Sequence, residues 1–197
     1  MTRIVVIDPQ PAVRAGLAMM LRTEPGLVPV GAAASAREGM DLVERQRPQV
    51  VLLDPQLLDG DGLALCRRLK ALEDAPRVVL YSADGDPSLP VVARVAGADA
   101  LVDKAAEPPV LYEAIRVVAR GGSALPPPSR AQLDAAAHMV EPDDLALLAM
   151  LVDRTSTADV AATLRLDRRK LARRIERMLG RLRGGAPRPP RPQAHPA

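Results

Sequence analysis

The amino-acid sequence predicts an α/β protein, a doubly wound five-stranded parallel sheet followed by a small all-α domain. Three observations carry this. Through residue 120, five short apolar runs alternate with five stretches of helical periodicity, the pattern of a parallel sheet with helices on both faces. Asp8, Asp54 and Ser82 stand at the carboxyl ends of three of those runs, and Lys104 follows the fifth, so all four converge on one edge of the sheet. Beyond a proline-rich stretch, GGSALPPPSR at 121–130, only helical signals return and the charge turns positive.

In order, the first strand is Arg3 to Ile7, ending at Asp8. Pro11 suits a first helical position, and Val13, Leu17 and Leu21 carry the helix to Arg22. Leu27 to Gly31 reads as a strand. Ser35 with Glu38 forms a capping-box pattern opening a helix to about Arg47. Val50 to Leu53 is a continuous apolar run, fitting a strand buried on both faces, and it meets Asp54. A helix follows from Gly62 to about Leu72, then a strand from Val78 to Ser82. Asp86 can cap a helix with Pro87 at its first position, running to about Ala96. Ala100 to Val102 is the fifth strand. Leu111, Ile115 and Val118 mark a helix stopped at Gly121 and Gly122.

The 121–130 stretch, with three successive prolines, reads as an extended, semi-rigid linker. Helices are expected from Arg130 to His138, from Pro142 to about Asp153, from Thr157 to Leu164 behind the Ser156/Asp159 cap, and from Arg168 to about Arg183. A short helix, a three-residue turn and a basic helix form a helix-turn-helix pattern. Leu171, Ile175, Met178 and Leu182 make one apolar stripe on the last helix, expected to dock on the two preceding helices. Docking there turns Arg168, Arg169, Lys170, Arg173, Arg174, Arg177 and Arg181 toward a DNA major groove or backbone. The chain thus divides into 1–120, the linker 121–130, a helix-turn-helix domain 131–183, and a Pro/Arg-rich tail 184–197 expected to be disordered.

Composition narrows the classes. There is no Trp or Phe, so cores must be built from aliphatic residues. One cysteine, Cys66, excludes a disulfide framework and a thiolate metal cluster. No signal peptide or membrane-length apolar segment is present, which predicts a cytoplasmic protein without a membrane partner. Residues 1–120 carry net −2 and residues 121–197 net +5, an asymmetry that points to a polyanion partner.

The motifs VVIDPQPAVRAGL, VVLLDPQLLDGDGL, VVLYSA and ALVDK together resemble the receiver domain of bacterial response regulators. Residues 141–179 resemble a degenerate LuxR-type helix-turn-helix, and the pair in this order resembles the NarL/FixJ subfamily. The resemblance implies a flavodoxin-like receiver with Asp54 as phosphoacceptor from a sensor histidine kinase, Ser82 as the switch hydroxyl, and Lys104 pairing with the phosphoryl group. It implies Mg²⁺ held by Asp8, Asp54 and the backbone carbonyl of Gln56, and a receiver that pairs as a homodimer through its fourth helix, fifth strand and fifth helix. It also implies DNA as the output partner.

Four residues depart from the family pattern. Pro9 replaces an acidic metal ligand, which weakens Mg²⁺ binding. Leu58 replaces the usual proline after the acceptor, and Leu101 the aromatic switch residue. Ala172 replaces a DNA-contacting lysine. The leading reading is a DNA-binding transcriptional regulator with an atypical receiver, and not an enzyme. The alternatives are a phosphorylation-independent protein- or ligand-interaction module and an RNA-binding antiterminator; the near absence of aromatic stacking residues argues against the second.

Overall fold

The computed structural model describes residues 1–83 and 85–184. The tail expected to be disordered lies, apart from Gly184, outside the described residues. Five parallel strands form one sheet in the order β2-β1-β3-β4-β5: β1 (Thr2–Ile7), β2 (Leu27–Ala33), β3 (Val50–Leu53), β4 (Arg77–Ser82) and β5 (Ala100–Asp103). The strand order reverses direction beside β1, so the carboxyl ends of β1 and β3, neighbours in the sheet, bound the crevice where α/β sheets place their chemistry.

Alternation along each strand sends side chains to opposite faces. Ile4, Val6, Val50, Leu52 and Val79 pack under α1 (Pro11–Thr23) and α5 (Pro108–Ala119). Val5, Ile7, Val51, Leu53, Val78 and Leu80 pack under α2 (Ala36–Gln46), α3 (Gly62–Lys70) and α4 (Leu89–Ala96). β2 is an edge strand and tolerates Pro29; its register against β1 shifts at the next residue, so that Ile4 faces Pro29 and Val5 faces Gly31.

The expected fold class is the observed one. One element starts later than its sequence signals. Pro87 does not open α4. A helix beginning there would place Pro90 at the fourth position, where a backbone N–H must bond the cap carbonyl. Residues 86–88 instead form a turn in which Asp86 accepts from the Ser88 N–H, and the helix begins at Leu89 with Pro90 in its first turn.

The segment expected as a linker runs extended beside β5, where the Leu101 N–H donates to the Ala124 carbonyl and the Ala124 N–H to the Asp99 carbonyl. Beyond it come α6 (Arg130–Met139), a 3-10 turn (Pro142–Asp144), α7 (Leu145–Val152), α8 (Thr157–Thr163) and α9 (Arg168–Gly184). Ser156 caps α8 by accepting from the Asp159 N–H, and Asp167 caps α9 by accepting from the Lys170 N–H.

The apolar stripe of α9 is buried, and Leu179 joins it. Its docking extends past the preceding helices. Leu147, Leu148 and Leu151 of α7 and Leu171, Ile175, Met178 and Leu182 of α9 belong to one hydrophobic cluster with Val91, Val92 and Val95 of α4. α4 is therefore covered by the sheet on one side and by α7 and α9 on the other. The outer side of α4, one part of the expected homodimer face, is thus occupied within the chain.

Gly62 opens α3 directly behind the Asp54 loop. A Cβ there would lie 2.2 Å from the Asp54 carbonyl oxygen and 2.8 Å from the Pro55 Cα, both rigid backbone. Gly62→Ala is expected to cost about 2–3 kcal/mol, the scale of forced overpacking, read as a lower urea midpoint at unchanged slope.

Candidate functional site

The site begins with two carboxylates at the ends of adjacent strands. Asp8 follows β1 and Asp54 follows β3; both are buried. Each uses one oxygen to accept from the backbone N–H two residues on. Gln10 donates to Asp8 Oδ1 at 2.8 Å, and Gln56 donates to Asp54 Oδ1 at 2.7 Å. These turns fix the carboxylate planes and aim both Oδ2 atoms at the same point. Lys104, just past β5, fills it: its Nζ lies 2.5 Å from Asp8 Oδ2 and 2.6 Å from Asp54 Oδ2. Ser82 is brought alongside because β4 pairs with β5 as Ser82 to Asp103, and the Lys104 N–H donates to the Ser82 carbonyl. The sequence-expected group of Asp8, Asp54, Ser82 and Lys104 is thus assembled at one edge of the sheet. Gln56 enters through its backbone.

Burial pushes the Asp54 carboxyl above its usual range, although the hydrogen bonds from Lys104 and Gln56 oppose it. For Lys104, burial favours the neutral amine, but its hydrogen bonds to Asp54 and Asp8 and their charges outweigh this and hold the ammonium above its usual value. Two carboxylates there share one ammonium.

Two further residues reach the site from within the quoted motifs, with no role that the motifs assigned. Arg14 donates to the Asp8 carbonyl at 2.7 Å, and Tyr81 places its ring 5.9 Å from Lys104 Nζ. Arg14 lies one turn into α1, a spacing shared by any helical arginine.

Among the described residues no group of three or more His, Cys, Asp or Glu side chains gathers to hold a metal. Mg²⁺ needs only one or two carboxylates, completed by waters and phosphate oxygens, so Asp8 and Asp54 fit it in kind. Pro9, half-buried between Asp8 and Gln10, contributes no carboxylate. Leu101 is partly buried against the core rather than free to swing, and Leu58 is 82% exposed.

The basic helix sorts its arginines. Arg168, Arg169, Lys170, Arg173, Arg177 and Arg181 are exposed. Arg174 is not turned outward with them: its Nε donates to buried Asp144 at 2.7 Å, and it also reaches the Asp143 carbonyl. Arg181 is ion-paired with Glu141. Arg183, missed in the sequence, pairs with Asp61 of the loop behind Asp54.

A family model described as the response regulator receiver domain matches residues 4–116. The chain belongs to that family. Over 193 residues, 92% of this response regulator and 88% of the relative, it is 31% identical to the DNA-binding transcriptional activator DevR/DosR of Mycobacterium tuberculosis. It is 30% identical over 118 residues to the nitrate/nitrite response regulator protein NarL of Escherichia coli, spanning 55% of that protein. Among solved structures, a LuxR-family two-component response regulator from Aurantimonas sp. superposes with TM-score 0.61 at 28% identity, covering 64% of this regulator and 91% of that chain. RcsB from Salmonella enterica serovar Typhimurium bound to a promoter gives 0.62 over 92% of this regulator and 91% of that chain; at 15% identity this likeness speaks for the fold alone.

The pocket generates a pH-dependent expectation. A carboxyl raised by burial contributes stability that is present below its ordinary pKa and lost as pH rises through its folded value. Asp54→Asn should therefore raise Tm by about 2–4 °C at neutral pH, on the scale of 1 kcal/mol, with the gain shrinking toward acid. Lys104→Ala should instead cost about 3–5 kcal/mol at neutral pH, because it leaves two buried carboxylates facing each other. Thermal melts from acid to neutral pH check both.

Proposed function

We propose that this response regulator controls transcription by binding DNA through α9, under a receiver that takes a phosphoryl group at Asp54. The observation that carries this is the exposed basic arc of α9 behind a capped helix-turn-helix, in a chain resembling the activator DevR/DosR along almost its whole length. At about 100° of arc per residue, Arg169, Arg173, Arg177 and Lys170 fall within one narrow sector opposite the buried stripe. That sector fits a major groove, with the N-terminal half nearest the bases. Helix placement favours DNA over RNA, whose sequence-specific recognition commonly uses aromatic stacking, because residues 121–197 contain no Phe, Trp or Tyr.

In the receiver, Asp54 Oδ2 is the nucleophile. It forms a bond to the phosphorus of a phosphohistidine in a sensor kinase while the P–N bond breaks and the imidazole takes up a proton. Lys104 then faces the new phosphoryl oxygens, and the Ser82 hydroxyl is close by. Mg²⁺, held by Asp8, Asp54 and the Gln56 carbonyl, supplies further neutralisation of the phosphoryl charge when bound. With Pro9 in place of an acid, Lys104 is the main cation of the site. No described helix is long and apolar enough to cross a membrane, and a cytoplasmic location, beside DNA and kinase, belongs to this reading.

Fluorescence anisotropy with a duplex selected from a random library tests it. Arg173→Ala should cost about 1–3 kcal/mol of binding and relax sequence preference. Arg174→Ala should leave affinity per folded molecule nearly unchanged but lower stability, because it strands Asp144. Equal affinity for selected and random DNA would remove the sequence-specific reading.

A further inference from the structure

The sheet-bearing half and the helical half are joined by more than a linker. Val91, Val92, Ala93, Val95 and Ala96 of α4 are all at most 1% exposed, although they spread over more than half of the helix circumference. Charged contacts frame that apolar seam. Asp99, buried at the start of β5, accepts from Lys70 Nζ at 2.9 Å and Arg77 at 3.0 Å, and Arg154 from the α7–α8 turn lies 3.7 Å from it. Arg94 of α4 donates to the Val152 carbonyl at the end of α7. The Gln132 side-chain amide of α6 donates to the Pro87 carbonyl. Arg183 at the end of α9 pairs with Asp61.

The same contacts divide α9. Its C-terminal end, with Arg183 on Asp61, meets the receiver. The face opposite its buried stripe, from Arg169 to Arg177, turns to solvent. Arg169, Arg173 and Arg177 are exposed, with no carboxylate within ion-pair distance among the described residues; Lys170 meets only Asp167 of its own cap. Arg165, in the turn before α9, is exposed as well. The face that would read bases is free, and the C-terminal end of the helix, which a groove leaves outside, is docked. Undocking would expose the apolar side of α4 and break the Asp99–Arg154 and Asp61–Arg183 pairs, and it would uncover no cation of the arc.

We infer that the DNA-binding surface, Arg165, Arg169, Lys170, Arg173 and Arg177, is complete in the docked molecule, and that this regulator engages duplex DNA with its two halves still packed together. This rests on the DNA-binding reading above. Phosphorylation then has no occluded helix to release.

A cross-link decides it. In the full chain, Asp61→Cys with Arg183→Cys places two partly exposed thiols at the seam for a short bismaleimide. Cys66 is spared, because it is fully buried and burial pushes its thiol up to about 12. Binding of a labelled duplex, selected with the uncross-linked double variant, is measured before and after cross-linking. The expected result is an affinity changed by less than about threefold, and a loss of about tenfold or more in the cross-linked protein on adding Arg173→Ala with Arg177→Ala. Binding by the uncross-linked form that falls more than about tenfold on cross-linking overturns the inference and leaves the DNA-binding reading standing. Binding by neither form overturns both. Cross-linked binding insensitive to the two arginine substitutions also overturns the inference, because the contact would then lie elsewhere.

Discussion

The structure depends on one helix having no solvent face of its own. α4 reads Leu-Pro-Val-Val-Ala-Arg-Val-Ala, apolar except at Arg94, so it needs apolar cover on more than the face it turns to the sheet. The sheet covers one side; the buried face of α7, Leu147, Leu148, Leu151 and Val152, and the stripe of α9 cover the other. The polar framework around the seam follows from that packing. Asp99, buried with the last strand, is held by cations from three different elements and by the Val78 N–H, so the carboxylate is neutralised where it lies. The receiver and output halves therefore share one core rather than meeting across a wet interface.

The Asp54 pocket is built on a second constraint, two carboxylates converging on one ammonium. Where an acidic residue would give the pocket a third carboxylate, Pro9 gives a rigid turn that holds Asp8 against the Gln10 N–H. Lys104 then bridges both oxygens, and Arg14 and Tyr81 surround the arrangement without adding negative charge. Leu101, at the position of the family's aromatic switch, is partly buried against the core.

Much of this was legible in the residues, for physical reasons. The Val50–Leu53 strand needed no correction because four apolar residues between polar boundaries have one buried solution. Asp8, Asp54, Ser82 and Lys104 converge because parallel strands bring all their carboxyl ends to one edge. The α4 start was misplaced because Asp86-Pro87 is a good helix opening in isolation, and only the missing N–H of Pro90 decides against it. The docking of α9 on α4 was readable in principle from the sequence of α4, apolar except at Arg94, which a helix under one face of a sheet does not need. Arg174 and Arg173 are chemically identical neighbours; helical spacing puts Arg174 on the flank of the Leu171–Met178 stripe, but names no partner for it. Arg174 turns inward because Asp144, thirty residues earlier, is buried and needs a cation. The cations of Asp99 are likewise scattered over α3, β4 and the α7–α8 turn, so only the fold collects them.

Amide hydrogen exchange of the intact regulator tests the shared core most directly. A single core predicts that the central amides of α4, α7 and α9 exchange with the same opening free energy as those of β4, the value for unfolding the whole molecule. A lower-energy opening that exposes α7 and α9 together while β4 stays protected would contradict it, and would mean that the output helices rest on the receiver without sharing its core.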